Sequence, residues 1–181
     1  MVRDEAIKSL HTAKKILDDL GIPFFLFLGT ALGAYRDRDF CPGDEDDIDL
    51  AVHIDHYAQK YAIIAAFKEA GFNAHEYIAE GAISPEIAFQ RNVEGGRSKV
   101  DIFFIVPKDG KIIWTFYTPQ AQNRSVTNNF LMAGRTEFFD ETFNLPYPAE
   151  PYLEENYGPD WRTPIHRNQW DYKKDNKGTI I

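Results

Sequence analysis

Apolar residues recur at three- and four-residue spacing through residues 3–20. Ile7, Leu10, Ala13, Ile16, Leu17 and Leu20 form one stripe, and Lys8, Lys14, Lys15 and Asp18 lie off it. The pattern predicts a helix whose stripe covers a sheet, with Gly21 as its stop and Pro23 beyond. Residues 24–28, Phe-Phe-Leu-Phe-Leu, are continuously apolar and predict a short strand buried on both faces. Gly29-Thr30 then opens a short helix that closes near Arg36, and Cys41-Pro42-Gly43 forms a turn. Residues 48–52 are the next strand and 55–70 a second amphipathic helix ending at Gly71. Strands follow at 72–78 and 87–91. The strongest late strand, 98–106, returns through Pro107-Lys108-Asp109-Gly110 to a hairpin partner at 111–117. Beyond Thr118 the pattern becomes irregular. Phe138-Phe139-Asp140 and Phe143 to Pro146 read as a short edge strand or an extended crossing segment. A short helix at 149–157 ends at Gly158-Pro159. Trp161, Trp170 and Tyr172 form an aromatic tail that packs on the domain or walls the site, and residues 173–181 read as mobile.

Alternating helices, strands and hairpins predict one α/β (α+β) domain. A chain of 181 residues, 44% hydrophobic and 14% aromatic, suffices for a single core. The formal net charge of −8 argues against binding long nucleic acid, which calls for a basic face. The single cysteine, Cys41, excludes an internal disulfide and a cysteine-rich zinc site, and reads as an inert thiol. No apolar run approaches the ~20 residues that span a bilayer. The first residues lack the layout of a signal peptide, so the expectation is a soluble cytoplasmic protein.

The chemistry lies in carboxylates. Residues 44–49 hold five of them in six positions, directly ahead of an apolar strand. Carboxylates packed this closely repel one another, so the run calls for a cation or for solvation. Residues two apart on a strand share a face, so Asp47 and Asp49 project together and could share Mg²⁺, or Mn²⁺ in its place. Asp44, Glu45 and Asp46 read as solvated loop residues. His53 and His56 read as surface or helix-capping residues, with no zinc spacing between them. Asp101 is a lone carboxylate in an otherwise apolar strand. Such a group is costly unless paired or metal-bound, so it is either a third metal ligand or the partner of Arg97 or Lys99. Gly29-Thr30 at a helix start offers free N–H groups and a positive dipole end for phosphate; the alternative is Thr30 as a simple N-cap. Arg36 either faces the phosphates or forms a structural ion pair. Together these pieces suit metal-assisted phosphoryl transfer, with Asp101 also placed to take a proton from the attacking hydroxyl.

Gly29-Thr30-x-Leu32-Gly33-Ala34-x-Arg36, Phe40-x-Pro42 and Asp46-Asp47-Ile48-Asp49 resemble the LicD/fukutin-related family of the nucleotidyltransferase-fold superfamily. Asn144-Leu145-Pro146, Tyr152-Leu153, Tyr157-Gly158, Trp161 and Pro164 resemble its C-terminal pattern, so the similarity runs from about Leu17 to Trp161. The resemblance implies a mixed sheet flanked by helices. It implies transfer of a phosphorylated alcohol, such as phosphocholine or a polyol phosphate, from a cytidine-diphosphate donor to a sugar hydroxyl. It matches Asp47 and Asp49 to the metal pair, Gly29-Thr30 to the phosphate-contacting turn and Asp101 to the third carboxylate. One departure stands out: Gly43 occupies a position where the family commonly has an aromatic, in a loop one residue longer. Two other readings use the same residues. One is a nucleotidyltransferase moving a nucleoside monophosphate from ATP or CTP onto a small molecule. The other is a non-catalytic metal- or nucleotide-binding domain.

Overall fold

The structure, a computed structural model, describes residues 2–78, 84–116, 124–129, 131–169 and 179–180. Helix α1 (Val2–Asp19) buries Ala6, Ser9, Leu10, Ala13 and Leu17, close to the stripe expected of it. Ile7, Ile16 and Leu20 pack at its margin. Burying Leu10 or Leu17 stabilises the fold by ~1.5–3 kcal/mol each. Strand β1 (Phe24–Leu26) leads into α2 (Leu28–Arg36), and β2 (Asp47–His53) follows. The expected second helix begins as a 3-10 turn, Ile54–Gln59, in which the His53 ring accepts the Asp55 N–H at 3.2 Å. Only then does α3 (Lys60–Glu69) start. Strands β3 (Asn73–Tyr77), β4 (Glu86–Val93), β5 (Gly96–Lys108) and β6 (Lys111–Phe116) complete the first part of the chain.

The irregular region expected after Thr118 is largely strand. It holds β7 (Arg124–Asn128), β8 (Leu131–Phe138) and β9 (Glu141–Tyr147). Strands β8 and β9 form their own antiparallel hairpin across Phe139 and Asp140, both at positive φ (48° and 63°). Such a turn normally announces itself with glycine or asparagine, and neither is present here. Helix α4 (Ala149–Tyr157) follows, then a 3-10 turn at Arg167–Gln169 and β10 (Thr179–Ile180), which pairs with β7. Trp170, Tyr172 and residues 173–178 lie outside the described residues.

The main sheet runs β1-β2-β5-β6-β7-β10, with β4 also paired to β5 and β3 to β4. It is mixed: β2 and β5 are parallel and the other pairs antiparallel. Register sets what each face carries. Ala74, Phe89, Val100 and Ile48 align across four strands on one face. That face meets α1 and α3, where Phe67 stacks on Phe89 at 3.9 Å between centroids. The Ser9 hydroxyl of α1 is bonded to Ser98 at 2.8 Å and to Arg91 at 2.9 Å, which locks the helix to β4 and β5. The opposite face carries Asp47, Asp49, Lys99 and Asp101.

Candidate functional site

Three elements build the site: the start of α2, strand β2 and strand β5. Strand β1 ends at Leu26, two residues before the apolar run does. Leu28 opens α2 at φ +37°, with its N–H donated to the Tyr152 hydroxyl at 3.1 Å. A left-handed backbone at a leucine costs of order 1–3 kcal/mol and is the sort of strain that collects at functional sites. The helix N-cap is Phe27, so Thr30 lies within the first turn and does not cap it. Its hydroxyl instead accepts the Asp49 N–H at 2.9 Å. The Gly29 N–H is donated back to Asp49 Oδ2 at 3.1 Å. Helix start and strand thus clamp each other, and the clamp aims the Asp49 carboxylate. A Cβ on Gly29 would run into the Asp44 carboxylate and come within 3.5 Å of Asp49 Oδ2. Glycine leaves room here for the Asp44 carboxylate to reach the helix end.

Strand pairing brings the distant carboxylates together. Asp49 is the register partner of Asp101, and Asp47 that of Lys99. One oxygen each from Asp47, Asp49 and Asp101 lies within 4.8 Å of the others. Asp101 is the partner of Lys99, which bonds its carboxylate and also lies 3.5 Å from Asp47 Oδ1. Arg97 turns instead to Asp46 at 3.4 Å. Burial, then repulsion from Asp47, Asp44 and Asp101, holds Asp49 well above the ordinary carboxylate range. Burial pushes Asp101 up to about 7 although Lys99 opposes it. Glu86, a buried carboxyl on β4, is pushed up to about 8 by burial and by Asp101. Burial alone would lower the Lys99 ammonium, but Asp101 and Asp47 outweigh it and keep the group charged. The Oδ1 atoms of Asp47 and Asp101 are buried without a hydrogen-bond partner. Three carboxylates that each bring an oxygen within 4.8 Å of the others, two of them with a buried oxygen that lacks a hydrogen bond, form the donor set a hard divalent cation takes, so the residues present fit Mg²⁺ or Mn²⁺.

The loop before β2 is not solvated as expected. The Asp44 side chain is only 18% exposed, and burial, with Asp47 next, pushes it up to about 7. A cation from far along the chain opposes that shift. Arg167 reaches Asp44 at 3.0 Å, Asp46 at 3.3 Å and Asp47 at 2.9 Å, and its backbone N–H is donated to the Pro42 carbonyl at 2.9 Å. The neighbouring His166 ring packs on Gly43, whose φ is +83°, so closely that a Cβ there would strike the ring. The imidazole thus fills the space beside Gly43. Arg36 does not face the carboxylate cluster. Its guanidinium bonds Asp37 at 2.6 Å and the Trp161 carbonyl at 2.9 Å. Cys41 donates its thiol to the Gly29 carbonyl at 3.4 Å, and burial pushes it up to about 12, which keeps it unreactive.

The structure therefore brings Asp47, Asp49, Asp101, Gly29 and Thr30 into one place and leaves Arg36 outside it. It adds Arg167, Lys99, Asp44 and Glu86. Lys99 carried a signal, two residues from Asp101 on one strand face. Arg167 carried none, because only the tertiary fold returns it to the loop.

A family model described as LicD/FKTN/FKRP, nucleotidyltransferase domain, matches residues 21–150. Ribitol-5-phosphate transferase FKTN of Mus musculus is 35% identical over 173 residues, covering 94% of this chain and 36% of that protein. The protein of the same name from Homo sapiens is 32% identical over 174 residues, 95% of this chain and 36% of its own. This chain thus spans about a third of the length of the curated relatives it matches.

Proposed function

Since the chain belongs to the LicD/FKTN/FKRP nucleotidyltransferase-domain family, we propose that it is a transferase that moves a phosphorylated alcohol, of the ribitol-phosphate kind, from a cytidine-diphosphate donor to a glycan hydroxyl. The observation that carries the reading is the convergence of Asp47, Asp49 and Asp101 within 4.8 Å beside the first turn of α2. Those three side chains would hold a divalent cation. When bound, such an ion neutralises phosphate charge and orients the phosphoryl group for in-line displacement.

The acceptor oxygen forms a bond to the phosphorus that bears the alcohol. The bond from that phosphorus to the bridging oxygen breaks, and cytidine monophosphate departs with the electron pair. Asp101, buried on β5 beside Asp47 and Asp49, is the carboxylate placed to take the hydroxyl proton. Arg167 reaches three acidic residues with a side chain 40% exposed, so its guanidinium is placed to meet donor phosphates at the mouth of the site. The Gly29-Thr30 turn aims Asp49 and sets the positive end of α2 toward the same point. Arg36 acts as a positioning residue that ties the end of α2 to the segment after α4.

Incubation with cytidine-diphosphate ribitol and a glycan acceptor, with and without Mg²⁺, tests the reading. Metal-dependent release of cytidine monophosphate, with the polyol phosphate on the acceptor, is expected. Incubation with CTP that leaves the nucleotide on the acceptor would replace it with nucleotidyl transfer.

A further inference from the structure

The carboxylate face of the sheet does not end at Asp101. Register extends it across β4 to the edge strand β3 in two rows. One row runs Asp47, Lys99, Gln90, Asn73; the next runs Asp49, Asp101, Ala88, His75. Helices α1 and α3 cover the other face, so in a sheet buried on both sides these alternate positions would be apolar. Apart from Ala88 they are polar instead, and Asn73, His75, Ala88, Gln90 and Lys99 of the two rows line a cavity of about 380 Å³, with Tyr77 and Asn92 beside them. That volume lies in the ~300–1,000 Å³ range of small-molecule sites.

The chemistry of the lining is specific. Asn73 and Gln90 are register partners, so two carboxamides sit side by side, each offering both donors and an acceptor. His75 lies against Tyr77 with 4.4 Å between ring centroids. Ala88, small and 5% exposed, lies between His75 and Asp101 in the register and contributes to the cavity lining. Lys99 is the only cation among the described residues lining the cavity, and it is already paired with Asp101. Neutral groups that both give and accept hydrogen bonds, with aromatic rings beside them, suit a polyhydroxylated ligand better than a phosphate.

We propose that this strip on β3 and β4 seats the hydroxyl acceptor, a sugar or sugar-like polyol; the assignment of role rests on the transfer reading above. Position supports it as much as chemistry. Arg167 and the start of α2 lie on the β2 side of the carboxylates, and the strip lies on the β4 side. A donor held on the first side leaves its phosphorus open to an oxygen arriving from the second. In-line displacement requires those opposite approaches.

The test is a titration of the full, isotopically labelled chain with a panel of methyl pyranosides, followed by nuclear magnetic resonance. Saturable shifts are expected at the Asn73 and Gln90 side-chain amides and at the His75 ring for at least one glycoside. They should persist in Asp49→Asn and weaken at least tenfold in Gln90→Ala and in Asn73→Ala, whose dispersed spectra show that they fold. No shift with any glycoside, or shifts elsewhere on the protein, would overturn the proposal. So would cytidine monophosphate moving these signals in place of the sugars, because the strip would then hold the donor base. Failure of the transfer reading shows separately, as no cytidine monophosphate released from cytidine-diphosphate ribitol, and leaves the sugar titration to be judged on its own.

Discussion

The two faces of the central sheet use the same strands for opposite ends. On one, Ile48, Val100 and Phe89 lie under α1 and α3 and are fully buried. On the other, one residue along each strand, Asp49, Asp101 and Ala88 form a row that opens toward the sheet edge. The covered face favours folding through apolar burial. The open face works against folding, because it holds like charges close together in a poorly solvated place. The contrast teaches that stability and chemistry have been separated by the two-residue period of the strands.

Substitutions on the two faces should therefore fail differently. Asp49→Asn or Asp47→Asn should lower transfer by about a hundredfold or more, the scale of losing one group that stabilises the transition state. The melting temperature should hold or rise as repulsion is relieved, and steady-state kinetics with thermal denaturation checks both. Phe89→Ala, on the covered face, should cost ~3–5 kcal/mol in a denaturant titration. Gly29→Ala tests the join between them. The added Cβ must push the Asp44 carboxylate aside at the mouth of the site, so activity should fall by about tenfold to a hundredfold with little change in unfolding.

Titration sharpens the same contrast. Asp44 and Asp101 titrate at about 7 and Glu86 at about 8 in the fold, against about 4 for free carboxyls. Between those values the folded chain holds more protons than the unfolded one, so unfolding free energy falls as pH rises. Their stabilising contribution is complete below about pH 4 and gone above about pH 8. Chemical denaturation of metal-free protein across that range should show the decline, and Mg²⁺ should flatten it. The smallest effect expected is on stability in Gln90→Ala, within about 0.5 kcal/mol, as for a surface position.

Much of this was legible in residue order and some was not. Asp101 stood out because a charge in an apolar strand needs an explanation, and Asp47 and Asp49 because alternation puts them on one face. Three features were hidden. Strand β1 ends at Leu26, and the Leu28 N–H turns to the hydroxyl of Tyr152, 124 positions beyond it. Asp44 pairs with Arg167, which arrives from beyond α4. The β8–β9 hairpin turns on Phe139 and Asp140 at positive φ, where no glycine marks the bend.

The most direct measurement is Mn²⁺ binding to the purified chain, followed by the paramagnetic resonance of the free ion. Saturable binding is expected in the wild-type chain and its loss in both Asp49→Asn and Asp101→Asn. Undiminished binding in either variant, or none in the wild-type chain, would contradict the convergence of these carboxylates as a metal centre.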